Sequence, residues 1–157
     1  AQLNAGPIDE IADRMPVTKA VLEESLRLYP PAAFLSRAAI ADDVLGGKKI
    51  SAGAVVTVSP FLLHRHRTLW DRPDEFDPAR FLGANRDRID RFAYIPFGAG
   101  PRVCIGMGFA LQEAIIVLAH LTRAFRFDLA PGHTVKPVQR ITLRPQGGMP
   151  MLVTPRQ

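Results

Sequence analysis

The chain has 157 residues, 47% hydrophobic and 22% charged, with 20 Lys and Arg against 15 Asp and Glu for a net charge of +5. That size and balance describe one folded domain and exclude a disordered tail, a collagen-like chain and a coiled coil; the single cysteine excludes a disulfide framework, and no Cys/His group has zinc-site spacing. No apolar run approaches the roughly 20 residues needed to cross a bilayer, the first residues do not read as a signal peptide, and Arg supplies 16 of the 20 basic residues, which favours discrete guanidinium–carboxylate contacts over a lysine-rich nucleic-acid patch.

Residues 1–15 are polar, and Pro16 should break any helix begun near Ile8. Val17, Val21, Leu22, Leu26 and Leu28 then recur at helical spacing with no Gly or Pro between them, which predicts a helix that Pro30-Pro31 ends. From Phe34 to Ser59 short apolar runs, among them Ala54-Val55-Val56-Thr57-Val58, are punctuated by Gly46-Gly47 and Gly53, which predicts a small sheet of hairpins. Trp70 to Pro96 is rich in Pro, Asp and Arg and shows no sustained period; so long an irregular stretch points to function. Met107 to Phe125 is the strongest helix, with Phe109, Leu111, Ile115, Val117, Leu118 and Leu121 buried in some combination. Three short strands follow, at 125–129, 141–143 and 151–153, separated by Pro/Gly turns. There is no internal repeat, and the fold class is mixed α+β.

The most informative segment is Phe97-Gly98-Ala99-Gly100-Pro101-Arg102-Val103-Cys104-Ile105-Gly106. Gly98, Gly100 and Gly106 permit backbone conformations that aim N–H groups at the sulfur, and the helix that starts straight afterwards adds a favourable dipole. Both favour the thiolate, the form that binds a metal. Arg102 places a fixed cation beside the loop, suited to an anionic group on whatever the sulfur binds. From the residues alone, a free buried cysteine in a glycine-rich turn remains the alternative.

The pattern F-G-x-G-x-R-x-C-x-G resembles the haem-binding loop of the cytochrome P-450 family, and Met107-Gly108-Phe109-Ala110-Leu111-Gln112-Glu113 resembles the start of that family's proximal helix. The resemblance implies haem b as cofactor, with Cys104 as axial iron ligand, Arg102 on a haem propionate and Phe97 shielding the sulfur. An anionic thiolate pushes electron density onto the iron and favours O–O cleavage. Glu24 and Arg27, followed by Leu28-Tyr29-Pro30-Pro31, resemble the family's Glu-x-x-Arg helix, and Pro78-Ala79-Arg80-Phe81 resembles its P-x-R-F segment. A buried Glu24–Arg27–Arg80 network fixing the cysteine loop is therefore expected, although spacing alone would make Glu24 and Arg27 an ordinary surface pair. Arg37 reads from spacing as a solvent-facing strand residue, and the resemblance implies that it reaches a haem propionate. His64 and His66 lie on different faces of a helix and do not make a metal pair; His64 reads as a packing or hydrogen-bonding residue, and Trp70 as core.

The resemblance spans essentially the whole chain yet matches only the C-terminal portion of the family's fold, so 1–157 reads as one C-terminal haem-binding portion. Nothing in it resembles the long helix that crosses the distal face of the haem and carries an acid/alcohol pair. The expected parent is an O₂-activating monooxygenase of a small organic substrate; the alternatives are a non-catalytic haem-binding remnant and a haem-thiolate isomerase or dehydratase. The implied partner is an electron donor (ferredoxin, flavodoxin or flavin reductase), with Arg65, Arg67, Arg72 and Arg102 either its docking surface or a solvated face. The chain alone is expected to be inactive and to self-associate. Its Arg-heavy usage suggests a bacterial, cytoplasmic protein, and a membrane anchor outside the chain is compatible with the family.

Overall fold

The computed structural model describes residues 14–156; a helix begun near Ile8 lies outside the described residues. Helix α1 spans Pro16–Leu28. Pro16 opens it where a missing N–H costs nothing, and the chain leaves it at Tyr29, whose N–H still reaches the Ser25 carbonyl at 2.8 Å. The face it buries is Ala20, Glu23, Glu24, Arg27 and Leu28. The apolar stripe expected inside is only partly so: Val17 is exposed, and Val21, Leu22 and Leu26 are half-buried. A helix can turn charge inward only if the packed segment supplies partners, and here the irregular stretch 64–96 does so.

Strand β1 (Leu35–Ala38) pairs antiparallel with β4 (Val55–Val58), setting Leu35 opposite Val58 and Arg37 opposite Val56. Strands β2 (Asp43–Leu45) and β3 (Lys48–Ile50) form a hairpin between them. Its turn is Gly46-Gly47, both at positive φ (57° and 77°), a conformation that favours glycine at each position. The expected small sheet is therefore two nested ribbons, because the β2–β3 hairpin pairs only with itself.

Ser59 caps the short helix α2 (Pro60–Leu63), its Oγ accepting from the Leu62 N–H. The stretch that follows contains a single 3₁₀ turn, Pro78–Phe81, capped by Asp77, and the short helix α3, Ala84–Asp87. It is held by a small aromatic core: Trp70 and Phe81, each 5% exposed, close over Ala20 of α1 and Ala93, with Tyr94 against Phe81 at a ring separation of 4.8 Å. Trp70 thus lies inside, as expected.

Helix α4 spans Met107–Ala124, and only Ile115 and Ala119 of it are buried. These two stand four residues apart, a single ridge, and the helix packs against α1. Of the apolar set expected to be buried in some combination, Ile115 is buried, whereas Phe109 is 72% exposed, Val117 50% and Leu121 43%. Strand β5 (Phe125–Leu129) then pairs antiparallel with β8 (Met151–Pro155). The strand expected at 141–143 begins only at Leu143: β7 is Leu143–Pro145, paired with β6, Pro137–Gln139. Prolines at the ends of β6 and β7 face each other, which hid this ribbon, because proline lacks the ladder's donor and reads as a turn. Among the described residues no helix is long and apolar enough to cross a membrane.

This asymmetry of α4 is testable by denaturant unfolding. Ile115→Ala, at a site 1% exposed, should cost about 2–5 kcal/mol. Phe109→Ala should change stability by less than about 0.5 kcal/mol.

Candidate functional site

The cysteine loop is a closed turn. Gly98 and Gly100 adopt φ of 79° and 74°, so both positions require the glycine they have. The Gly98 N–H bonds to the Ile95 carbonyl at 3.0 Å, and the Cys104 N–H to the Phe97 carbonyl at 3.0 Å. Gly106 differs from its expected role: its φ of −87° is open to any residue, and it stands as the N-cap of α4. A Cβ there would lie 3.9 Å from the Cys104 sulfur, so this glycine leaves space beside the thiol. Cys104 is exposed, which removes the buried-cysteine alternative, and Phe97 is half-buried.

Strand β1 reaches the loop, because Leu35 Cδ1 lies 3.6 Å from the Cβ position of Gly98. Arg37 is two residues further on, hence on the same face of the strand. Its guanidinium is exposed and donates only to the Ser36 carbonyl, at 2.8 Å. Arg102 is exposed on a 3₁₀ turn, Gly100–Arg102. Neither arginine has a carboxylate partner among the described residues.

Behind the loop, Glu24 and Arg27 are wholly buried. Arg27 donates to both Glu24 oxygens, through Nε at 2.7 Å and Nη2 at 2.8 Å. Its other N–H groups reach the carbonyls of His64 (2.7 Å), Pro73 (2.7 Å) and Glu75 (3.0 Å). Glu24 also accepts the Asp77 N–H at 2.8 Å. Arg80 is a looser member than expected: its Nε stands 3.5 Å from Glu24 without a hydrogen bond, and its Nη2 donates to the Arg72 carbonyl at 3.0 Å. The three side chains therefore form the expected buried ionic network, with Arg80 joined to Glu24 as an ion pair and Arg27 tied in addition to main chain.

His64 is wholly buried. Its Nε2 accepts the Ile95 N–H at 2.9 Å, which assigns the ring proton to Nδ1, facing the Arg27 carbonyl at 3.1 Å. Burial, aided by the positive charges of Arg27 and Arg65, lowers its pKa from 6.5 to about 4. Sequence reasoning placed His64 among packing or hydrogen-bonding residues but had no signal for its partners. It also missed Glu23, which takes the Arg86 guanidinium at 3.2 Å on its carboxylate and the Tyr94 hydroxyl at 3.0 Å on its carbonyl. His66 is engaged with the Thr68 hydroxyl at 2.8 Å.

The four arginines read as one basic surface do not act alike. Arg72 is tied to Asp71, Glu75 and Asp77, and Arg65 lies over the Phe61 ring with Asp74 at 3.8 Å. Their charge is compensated locally, which leaves Arg67 and Arg102 as the cations of the set that are exposed and have no carboxylate partner among the described residues.

This combination of fold and loop is that of the haem domains of one family. The chain matches the cytochrome P-450 family over residues 4–152 and belongs to it. It is 42% identical over 132 residues to a cytochrome P-450 of Mycobacterium tuberculosis, covering 84% of this chain and 28% of that protein. It is 39% identical to the 11-oxo-beta-amyrin 30-oxidase of Glycyrrhiza uralensis (96% and 29% covered) and 37% identical to the cyclooctatin synthase of Streptomyces melanosporofaciens (91% and 31%). The cytochrome P450DA heme domain superposes with a TM-score of 0.87 at 34% identity, over 98% of this chain and 34% of that one. The mixed α+β fold is thus that of a cytochrome P-450 haem domain, and the chain spans about three tenths of the length of its curated relatives.

His64 gives the site a pH signature. Its folded-state pKa is depressed, so between pH 6.5 and about 4 the unfolded chain takes up a proton that the folded ring refuses. Stability is unaffected above this window and falls as pH drops through it, by about 2–3 kcal/mol near its acid end. Urea unfolding at neutral pH and at about pH 4.5 should show that His64→Gln, which cannot titrate, loses less stability between the two conditions than the wild type.

Proposed function

We propose that this chain is the C-terminal, haem-binding portion of a haem-thiolate oxidoreductase, whose complete form is an O₂-activating monooxygenase that hydroxylates a small organic substrate. The observation that carries the reading is the exposed Cys104 on a glycine-shaped turn at the N-terminus of α4. The donor set fits haem b. A porphyrin supplies four nitrogens itself, so one protein thiolate suffices, and its two propionates call for exposed cations without a carboxylate partner. Arg102 and Arg37 answer that description among the described residues.

In this reading the Cys104 sulfur would hold the haem iron, Arg102 and Arg37 would each take a propionate, and Phe97 would shield the sulfur. Gly98 lets the chain turn in front of Leu35, and Gly106 keeps the space beside the thiol open. When bound, the haem iron with a thiolate ligand supplies O–O cleavage chemistry. The chain's own task is to present the sulfur as an anion, which the amino end of α4 favours, and to hold its loop against α1. Glu24, Arg27 and Arg80 serve that structural task and touch neither cofactor nor substrate. The stretch 64–96 corresponds to the family's meander and α4 to its proximal helix.

Electrons come from a donor protein of the ferredoxin, flavodoxin or flavin-reductase kind, with Arg67, exposed and without a carboxylate partner among the described residues, available to it. The chain spans about three tenths of the length of its relatives, and in this reading it is inactive by itself. Exposed Phe109, Val117 and Leu121 on α4 drive it to self-associate. A bacterial, cytoplasmic protein agrees with its arginine-rich composition and its bacterial relatives.

Haem added to the purified chain, reduced and treated with carbon monoxide, should give the red-shifted Soret band of a thiolate adduct, and Cys104→Ala should abolish it. A wild-type spectrum typical of a histidine ligand would refute the assignment. Light scattering after size exclusion should report a dimer or larger species with no turnover in the presence of an electron donor; a compact, active monomer contradicts this part of the reading.

A further inference from the structure

We infer that His64 is a positioning residue for the cysteine loop: its ring ties the main chain entering the loop to the end of helix α1 and so sets where the Cys104 sulfur stands. The link to haem rests on the function proposed above; the link to the sulfur does not.

Both ring nitrogens are engaged with main chain from different parts of the fold. Nδ1 faces the Arg27 carbonyl in the last turn of α1, and Nε2 accepts from Ile95, two residues before Phe97. The tie continues into the loop through two main-chain bonds. The Ile95 carbonyl accepts from Gly98, opening the glycine turn, and the Phe97 carbonyl accepts from Cys104, closing it. The ring cannot drift, because the Arg27 guanidinium holds the carbonyl of His64 itself at 2.7 Å. Tyr94 supplies a second tether beside the first: its ring lies 5.3 Å from that of His64, and its hydroxyl donates to the Glu23 carbonyl on α1. A residue needed only to fill this space would be satisfied by an aromatic hydrocarbon; one that joins two segments must offer a donor on one edge and an acceptor on the other. Imidazole in its neutral form does so across a single rigid ring.

The test compares wild type, His64→Phe and His64→Gln, the last keeping an acceptor and a donor on a shorter planar group. Circular dichroism checks the fold. Hydrogen exchange reads the Ile95 amide, iodoacetamide reads the accessibility of Cys104, and the reduced, carbon-monoxide-treated haem adduct reads the iron ligand. In His64→Phe with native helicity, Ile95 should exchange about tenfold faster or more, Cys104 alkylation should change severalfold, and the thiolate Soret band should shift toward that of a neutral ligand. His64→Gln should recover most of the Ile95 protection. A folded His64→Phe with unaltered Ile95 exchange and unaltered Cys104 alkylation overturns the inference. If His64→Phe does not fold, wild type decides by heteronuclear NMR: a proton on Nδ1 and a protected Ile95 amide uphold it, while a proton on Nε2 or an Ile95 amide as fast as its exposed neighbours overturns it. If wild type lacks the thiolate band yet Ile95 protection and Cys104 alkylation still depend on His64, the haem reading fails and the positioning role stands.

Discussion

A guanidinium shut off from water must find an acceptor for each of its N–H groups, and Arg27 finds five: two carboxylate oxygens of Glu24 and the carbonyls of His64, Pro73 and Glu75. The carboxylate cancels its charge, and the carbonyls satisfy its remaining donors. This one side chain thereby gathers an irregular stretch into a fixed course along α1. Losing Glu24 would strand a buried cation, a change of the kind that costs about 3–5 kcal/mol. Lysine could not replace Arg27, because its ammonium has three donors and no planar fork.

The same constraint explains the unusual distribution of polarity. Three of the five buried positions on α1 go to Glu23, Glu24 and Arg27, while apolar Phe109, Val117 and Leu121 of α4 are exposed. The aromatic cluster of Trp70, Phe81 and Tyr94 covers the polar network: Arg27 lies 5.0 Å from the centre of the Trp70 ring, within cation–π range. Ionic groups and aromatic faces here form a joint core, and the cysteine loop inherits its rigidity through Ile95 and the aromatic Tyr94 beside it.

Much of the fold could be read from residue order. The limits of α1 followed from Pro16 and Pro30-Pro31, the β2–β3 turn from Gly46-Gly47, and the start of α4 from the end of the glycine-rich loop. What escaped was whatever depends on a partner far along the chain. Periodicity marked the apolar stripe of α1 as its inner face, because it takes no account of carbonyls that could accept from an arginine. On α4 it could not say which of the apolar residues are buried, because it cannot count the neighbours a helix has. The β6–β7 ribbon was hidden by its prolines. At the site, Cys104, Arg102 and the pair Glu24 and Arg27 were visible through their motifs, whereas the work of both His64 nitrogens and the link from Glu23 to Arg86 left no mark on the sequence.

The acceptors of Arg27 also constrain the order in which the chain assembles. Glu24 is three residues away, so this pair forms as soon as α1 turns and remains hydrated while it is alone. The three carbonyls lie 37, 46 and 48 positions further along. Bringing so distant a segment back costs about 3 kcal/mol of loop entropy before any contact offsets it. Water leaves the ion pair only at that moment, and the carbonyls must already be in place as it goes. Charge burial and loop closure are therefore energetically coupled: neither is complete without the other.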